Sequence, residues 1–306
     1  MKVFNSTQEA TGKINKAVVT TGSFDGVHIG HKSIIDRLKQ LAEEIGGEST
    51  LVTFHPHPRK VLYPDQKDLK LINSQEEKIE LLSKTGLHNL VIIPFSIEFS
   101  KTTSHDFITR ILIEQLNART VIVGQNHHFG HNRSGDFSYL YDLSNKMGFN
   151  VEDIPLKDIE NETVSSTKIR KALAQGNIMR ANAYLDHQYI ITGILQNGAA
   201  LNASLQGTWY TLGISEEEKL IPPPGVYATG VRFNNQSLKS MSIIVEDEAG
   251  IRSVNNTLIY DQIDLSGQKV TVYFYKKIRG KEVFFDQDID KDELADAKED
   301  VEELLY

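Results

Sequence analysis

The 306-residue chain, 40% hydrophobic and 24% charged, has the composition of a soluble globular protein and the length for two ordinary domains. Its net charge of −8 argues against general affinity for DNA or RNA. With no membrane-length apolar run and no signal-peptide core in residues 1–6, the cytoplasm is the expected setting and no membrane partner is expected. The lack of cysteine excludes disulfides, thiolate metal sites and cysteine nucleophiles, so any metal must be held by oxygen ligands or histidine.

From residue 17 to about 185 short β-rich runs alternate with amphipathic helices, the grammar of a parallel sheet covered on both faces. Strands are predicted at 17–21, 49–54, 89–94, 120–123 and 151–154. The first leads into Thr21-Gly22-Ser23-Phe24-Asp25-Gly26-Val27-His28-Ile29-Gly30-His31, and Ile34, Ile35, Leu38, Leu41 and Ala42 then recur at helical spacing. That places His31 in the first helical turn and His28 just ahead of it. Both imidazoles then point toward a helix N-terminus, where free N–H groups and the macrodipole favour an anion and the glycines let a phosphate approach. Two histidines three apart are commonly ordinary loop side chains; the order strand, Gly-rich turn, helix favours a phosphate site. Further on, Ser74 and Glu77 form a capping box, with Gly86 as the C-cap.

From about Tyr189 the pattern changes to strands without intervening helices, such as 189–195, 226–232, 240–245 and 269–275. A helix ends the chain, and its acidic 286–303 stretch reads as a solvated face. The expected fold is α/β, a doubly wound parallel sheet (residues 1–186) followed by a small β-barrel with a C-terminal helix (residues 187–306).

The run from Gly22 to His31 resembles the H-x-G-H nucleotidyltransferases and, more closely, the bacterial riboflavin kinase/FAD synthetase family, whose first domain opens with G-x-F-D-G-x-H-x-G-H. Further segments carry the resemblance. Phe54, His57, Pro58 and Arg59 lie at the carboxyl end of the second strand, in a segment (53–59) that alone reads as a proline-stiffened loop; the resemblance makes them flavin contacts. Gly124, Asn126, Phe129, Gly130, Arg133 and Gly135 match a second flavin-side segment, with Asn126 and Phe129 implied to bind FMN. His127, His128 and His131 in that segment suggest zinc by composition, yet no partner segment completes a site, so no protein metal site is expected. Ser165-Ser166-Thr167-Lys168-Ile169-Arg170 reads alone as a helix N-cap. The resemblance makes it the cradle of the nucleotide's β- and γ-phosphates, a role that hydroxyls, helix N–H groups and a guanidinium suit.

The resemblance thus implies attack by the FMN phosphate on the α-phosphorus of ATP. His28, His31 and Arg170 would be the catalytic groups; Gly22, Phe24, Asp25, Gly30, Ser165, Ser166, Thr167 and Lys168 would bind ATP; and Mg2+ would arrive bridging phosphate oxygens.

In the second half Leu220-Ile221-Pro222-Pro223-Pro224-Gly225-Val226-Tyr227 and the run from Ile278 to Phe285 match the family's kinase barrel. Its G-x-x-L-G-F-P-T-A-N signature does not: residues 202–211 keep only Leu205 in register and place Trp209 and Tyr210 where small and metal-binding residues belong. The family's N-I-G-x-x-P-T run has no counterpart in 237–253, and its catalytic glutamate falls near Asn255 and Asn256, neither of which is a base. The expected function is therefore an FMN adenylyltransferase with a degenerate kinase domain that stabilises the protein, mediates homo-oligomerisation or binds flavin. The alternatives are the bifunctional enzyme, a flavin-binding regulator without turnover, and an adenylyltransferase for another phosphorylated acceptor. The two flavin-side segments weigh against the last.

Overall fold

The computed structural model describes all residues except 66–68, 125–128, 131–134, 155–157, 160–161, 199–204, 206, 261–262, 281–283, 286–287 and 306. Packing divides the chain into one unit of Met1–Leu69 and Lys78–Val164 and a second of Lys70–Glu77 and Ser165–Tyr306.

The first unit holds a sheet of six parallel strands: β1 (Lys2–Phe4), β2 (Ala17–Thr21), β3 (Glu48–His55), β4 (Asn89–Pro94), β5 (Ala118–Gly124) and β6 (Asn150–Ile154). Their order across the sheet is β1-β4-β3-β2-β5-β6. All five residues of β2 are buried, as expected where helices cover both faces. The five predicted strands are present, and the three-residue β1, which adds to β4 at the edge, is not signalled by the sequence. The order in which strands are added reverses between β2 and β5, which run parallel, so their carboxyl ends flank the switch point where such sheets bind ligands.

Helix α1 (Ile29–Ile45) follows β2, burying Ile35, Leu38 and Ala42 and ending on left-handed Gly46. Arg37 of α1 holds Glu152 of β6 in a two-pronged pair at 2.6 and 2.8 Å. Helix α2 (Gln75–Ser83) begins with the anticipated reciprocal capping box. Ser74 N donates to Glu77 Oε2 at 2.9 Å, and Glu77 N donates to Ser74 Oγ at 3.2 Å.

The second unit contains a closed antiparallel barrel: β7 (Tyr189–Asn197), β8 (Tyr210–Gly213), β9 (Gly225–Phe233), β10 (Gln236–Glu246), β11 (Arg252–Leu258) and β12 (Lys269–Arg279), ordered β8-β11-β10-β9-β12-β7. Closure removes the edges that a six-stranded open sheet would expose. Helices α3 (Ser166–Ala174) and α4 (Ile178–Leu185) group with the barrel. Asn182 of α4 clamps two strands, donating to Phe274 O at 2.9 Å and accepting from Tyr189 N at 2.7 Å. The terminal helix α5 (Lys291–Leu305) turns its acidic residues outward and buries Leu294, Ala297 and Val301 against Val226, Ala228, Met241 and Ile243.

Candidate functional site

The turn after β2 is tied to its neighbour strand before it enters α1. Gly22 N donates to Val52 O at 3.0 Å, and Thr53 Oγ1 donates to Ser23 O at 3.3 Å. Beyond them Phe24, Gly26 and Val27 take φ of 48°, 95° and 43°. Positive φ at a β-branched residue is costly, and here the surrounding bonds enforce it. The turn delivers His28 as the extended N-cap of α1. Its side chain does not cap, which leaves the imidazole to other uses.

Three rings then stack: His28 on His31 with centroids 3.6 Å apart, and His31 on Phe24 at 4.4 Å. Phe24, Asp25 and His28 are buried. The glycines serve this stack directly, since a Cβ on Gly30 would lie 3.2 Å from the His28 ring and one on Gly22 3.1 Å from the Phe24 ring. The turn thus brings together Gly22, Phe24, Asp25, His28, Gly30 and His31 at the carboxyl edge of the sheet.

Burial, followed by the neighbouring charges of His28 and Lys78, holds the His31 pKa well below its ordinary 6.5, and its buried Nδ1 has no hydrogen-bond partner among the described residues. A histidine kept neutral in the fold but protonated at about pH 6.5 when unfolded makes the unfolded state bind more protons below that pH. Stability is therefore expected to be undiminished above pH 6.5 and to fall as the pH drops below it, by at most about 1.4 kcal/mol per pH unit from this group. Urea unfolding at pH 5, 6 and 7 with His31→Gln as the control tests this; an identical slope in the variant would refute it.

In the second unit Ser165 N-caps α3, its Oγ accepting from Lys168 N at 3.4 Å, with Ser166 and Thr167 opening the helix. Arg170, one turn further, donates from Nε to the Lys70 carbonyl at 2.9 Å. The first turn carries no acidic residue. It therefore presents hydroxyls, positive dipole and cationic side chains together.

In the first unit, Phe54 at the end of β3 belongs to an aromatic cluster. It lies 5.7 Å from Phe95, 6.0 Å from Phe99 and 6.4 Å from Phe107, and Phe107 lies 6.4 Å from Phe129. Both phenylalanines singled out by sequence thus share one cluster, joined by Phe95, Phe99 and Phe107, which sequence reasoning missed. Of the segment 53–59, read alone as a stiffened loop, residues 53–55 end β3 and Pro58 and Arg59 open a short helix, Pro58–Leu62. His57 is its N-cap, with Nδ1 accepting from Arg59 N at 3.2 Å, and Pro58 opens its first turn. Arg59 is exposed. Phe129 pairs with Gly135 through two backbone bonds of 3.0 Å. A Cβ on Gly135 would lie 2.3 Å from the Phe129 ring, and one on Gly130 2.2 Å from Ser104 Oγ, so both positions require glycine. Asn126, His127, His128, His131 and Arg133 lie outside the described residues.

The barrel unit contains a cavity of about 1240 Å3 whose lining includes Trp209, Tyr210, Met241, Thr257, Tyr260 and Lys291. Trp209 is buried with Met241, Ile243 and Val301. Asn255 and Asn256 are also buried. Thr211 Oγ1 donates to Asn255 Oδ1 at 2.7 Å, and Ser242 Oγ donates to Asn256 Oδ1 at 2.6 Å.

Among the described residues no three His, Cys, Asp or Glu side chains are grouped to hold a metal ion, and no helix is long and apolar enough to cross a membrane.

Comparison with known proteins gives a family for each half. The profile of the FAD synthetase family matches residues 11–168, and that of the riboflavin kinase family matches residues 185–305. A Pseudomonas fluorescens protein named bifunctional riboflavin kinase/FMN adenylyltransferase is 30% identical over 87% of this chain and 86% of its own length. A Buchnera aphidicola protein of the same name is 28% identical over 93% and 92%. A crystal structure from Streptococcus pneumoniae, described as a macrolide-efflux protein, superposes with a TM-score of 0.85 at 25% identity, covering 99% of this chain and 97% of that one.

Proposed function

The chain belongs to the family of bifunctional riboflavin kinase/FMN adenylyltransferases, and from that membership we propose that it performs the second of the two reactions, transfer of AMP from ATP to FMN. A terminal phosphate oxygen of FMN attacks the α-phosphorus of ATP, the bond from that phosphorus to the β-phosphate bridging oxygen breaks, and FAD and pyrophosphate leave. Such a transfer needs alignment and neutralisation of charge more than covalent help.

The observation that carries this reading is the His28–His31–Phe24 stack at the N-terminus of α1, at the carboxyl end of β2. Two imidazoles and a helix dipole would there supply stabilisation for the negative charge that develops. His28 and His31 are assigned to the α-phosphate and bridging oxygens. Gly22, Phe24, Asp25 and Gly30 shape the ATP side of the turn. Ser165, Ser166, Thr167, Lys168 and Arg170 take the leaving pyrophosphate. Phe54, His57, Pro58, Arg59, Asn126 and Phe129 are assigned to FMN. Mg2+ would be carried in on the nucleotide, where it would neutralise phosphate charge.

We assign residues 1–186 to the adenylyltransferase domain and 187–306 to a barrel that keeps the kinase fold without its chemistry. The substrates are small molecules, and the setting is the cytoplasm. The riboflavin kinase profile over 185–305 supports the bifunctional reading as the alternative. FMN incubated with magnesium-ATP should give FAD and pyrophosphate on chromatographic separation; unchanged FMN at saturating ATP would end the proposal.

A further inference from the structure

Residues 70–77 are bounded on both sides by chain of the first unit, yet they group with the second. Within that unit they form a strap held by a dense set of polar contacts. Leu71 N donates to Glu218 O and Leu220 N donates to Leu71 O, both at 2.8 Å. The Lys70 ammonium donates to Glu217 O at 2.8 Å, and Gln75 N donates to Glu216 Oε1 at 2.7 Å.

Beneath the strap Lys219 is buried, at 2% exposure. Its Nζ donates to Ile72 O at 2.5 Å, Glu77 Oε2 at 2.6 Å and Ile190 O at 2.7 Å, and it lies 4.4 Å from the Tyr189 ring centroid. Three acceptors match the three protons of an ammonium. The other oxygen of Glu77 accepts from Thr192 N at 2.7 Å.

Apolar residues would join two segments at least as well as a buried ion pair, because both charges must be desolvated. What a saturated pair adds is a single register between strap and barrel. That register has a consequence at the strap's first residue, whose carbonyl receives the Arg170 Nε bond at 2.9 Å. A guanidinium recognises phosphate oxygens through a planar fork, so a bond that fixes its plane fixes its aim.

We propose that Lys219 is a positioning residue for adenylyl transfer: by locking residues 70–77 to the barrel through Ile72 and Glu77, it holds the Lys70 carbonyl that orients Arg170 on the leaving pyrophosphate. The inference rests on the assignment of Arg170 made above. It also gives the barrel a task in FAD formation that requires no kinase chemistry.

The test is a double-mutant cycle on the full chain, read as the KM for pyrophosphate in the reverse reaction from FAD and as kcat for FAD formation. Arg170→Ala and Lys219→Met are each expected to raise that KM at least tenfold, and the double variant to be no worse than Arg170→Ala alone. Losses that multiply would show that Lys219 acts on stability and not through Arg170. A normal KM in Lys219→Met beside a raised one in Arg170→Ala would overturn this inference alone. A normal KM in Arg170→Ala would remove Arg170 from the site and this inference with it. Should Lys219→Met fail to fold, Glu77→Gln carries the same cycle, with the same direction of effect expected and the same outcomes deciding.

Discussion

Replacing His28 with alanine is expected to lower kcat for FAD formation by about 10²–10³-fold, the scale found when one preorganised donor to a developing charge is removed. The KM for FMN should change little, because the cluster of Phe54, Phe95, Phe99, Phe107 and Phe129 does not involve this ring. The size of the effect follows from where the ring sits. His28 is buried at the N-cap of α1 but does not cap it, so the substitution removes no helix hydrogen bond of that side chain. It does remove the outer ring of the stack on His31, which lies 3.6 Å away. Some loss of stability is therefore expected together with the loss of rate, and thermal melting separates the two. His31→Ala should be the more destabilising variant, since that ring lies between Phe24 and His28. FAD formation within twofold of the unsubstituted protein in a folded His28→Ala variant would take the turn out of the chemistry and favour the flavin-binding reading.

How much could be read from sequence depended on how local each cause is. The strand, turn and helix around His28 were legible because the apolar run, the glycines and the 3.6-residue period all lie within thirty residues of one another. The capping box of Ser74 and Glu77 was legible for the same reason. That the same Glu77 carboxylate also receives Lys219 and Thr192 was not, since those partners lie 142 and 115 positions away and no local pattern announces them. Strand β11 was missed because Arg-Ser-Val-Asn-Asn-Thr-Leu contradicts strand propensity, and only its pairing with β10 and β8 gives buried Asn255 and Asn256 partners. The aromatic cluster shows the middle case. Phe54 and Phe129 were visible through their motifs, whereas Phe95, Phe99 and Phe107 are ordinary apolar residues until the fold gathers them.

Riboflavin given magnesium-ATP is expected to yield no FMN at protein concentrations that convert FMN to FAD. The reason is the chemistry of Asn255 and Asn256, near which the resemblance sets the kinase's catalytic glutamate. An amide has no basic lone pair at neutral pH, and a missing general base alone costs about 10²–10⁴ in rate. Asn255 is moreover committed, accepting from Thr211 at 2.7 Å and donating to Ser253 at 3.1 Å. Asn255→Glu should therefore remain silent: its carboxylate would be buried among hydroxyls, with Trp209 still packed at 1% exposure against Met241 and Val301 where the resembled family has small and metal-binding residues. FMN formed by the unsubstituted protein would instead establish the bifunctional reading. Binding can be followed separately from chemistry, because Trp209 is the chain's one tryptophan and lines the 1240 Å3 cavity, so its emission reports occupancy. Quenching by riboflavin without turnover would mean that the barrel lost its reaction while keeping room for the flavin; neither quenching nor turnover would leave support of the 70–77 strap as the barrel's remaining contribution.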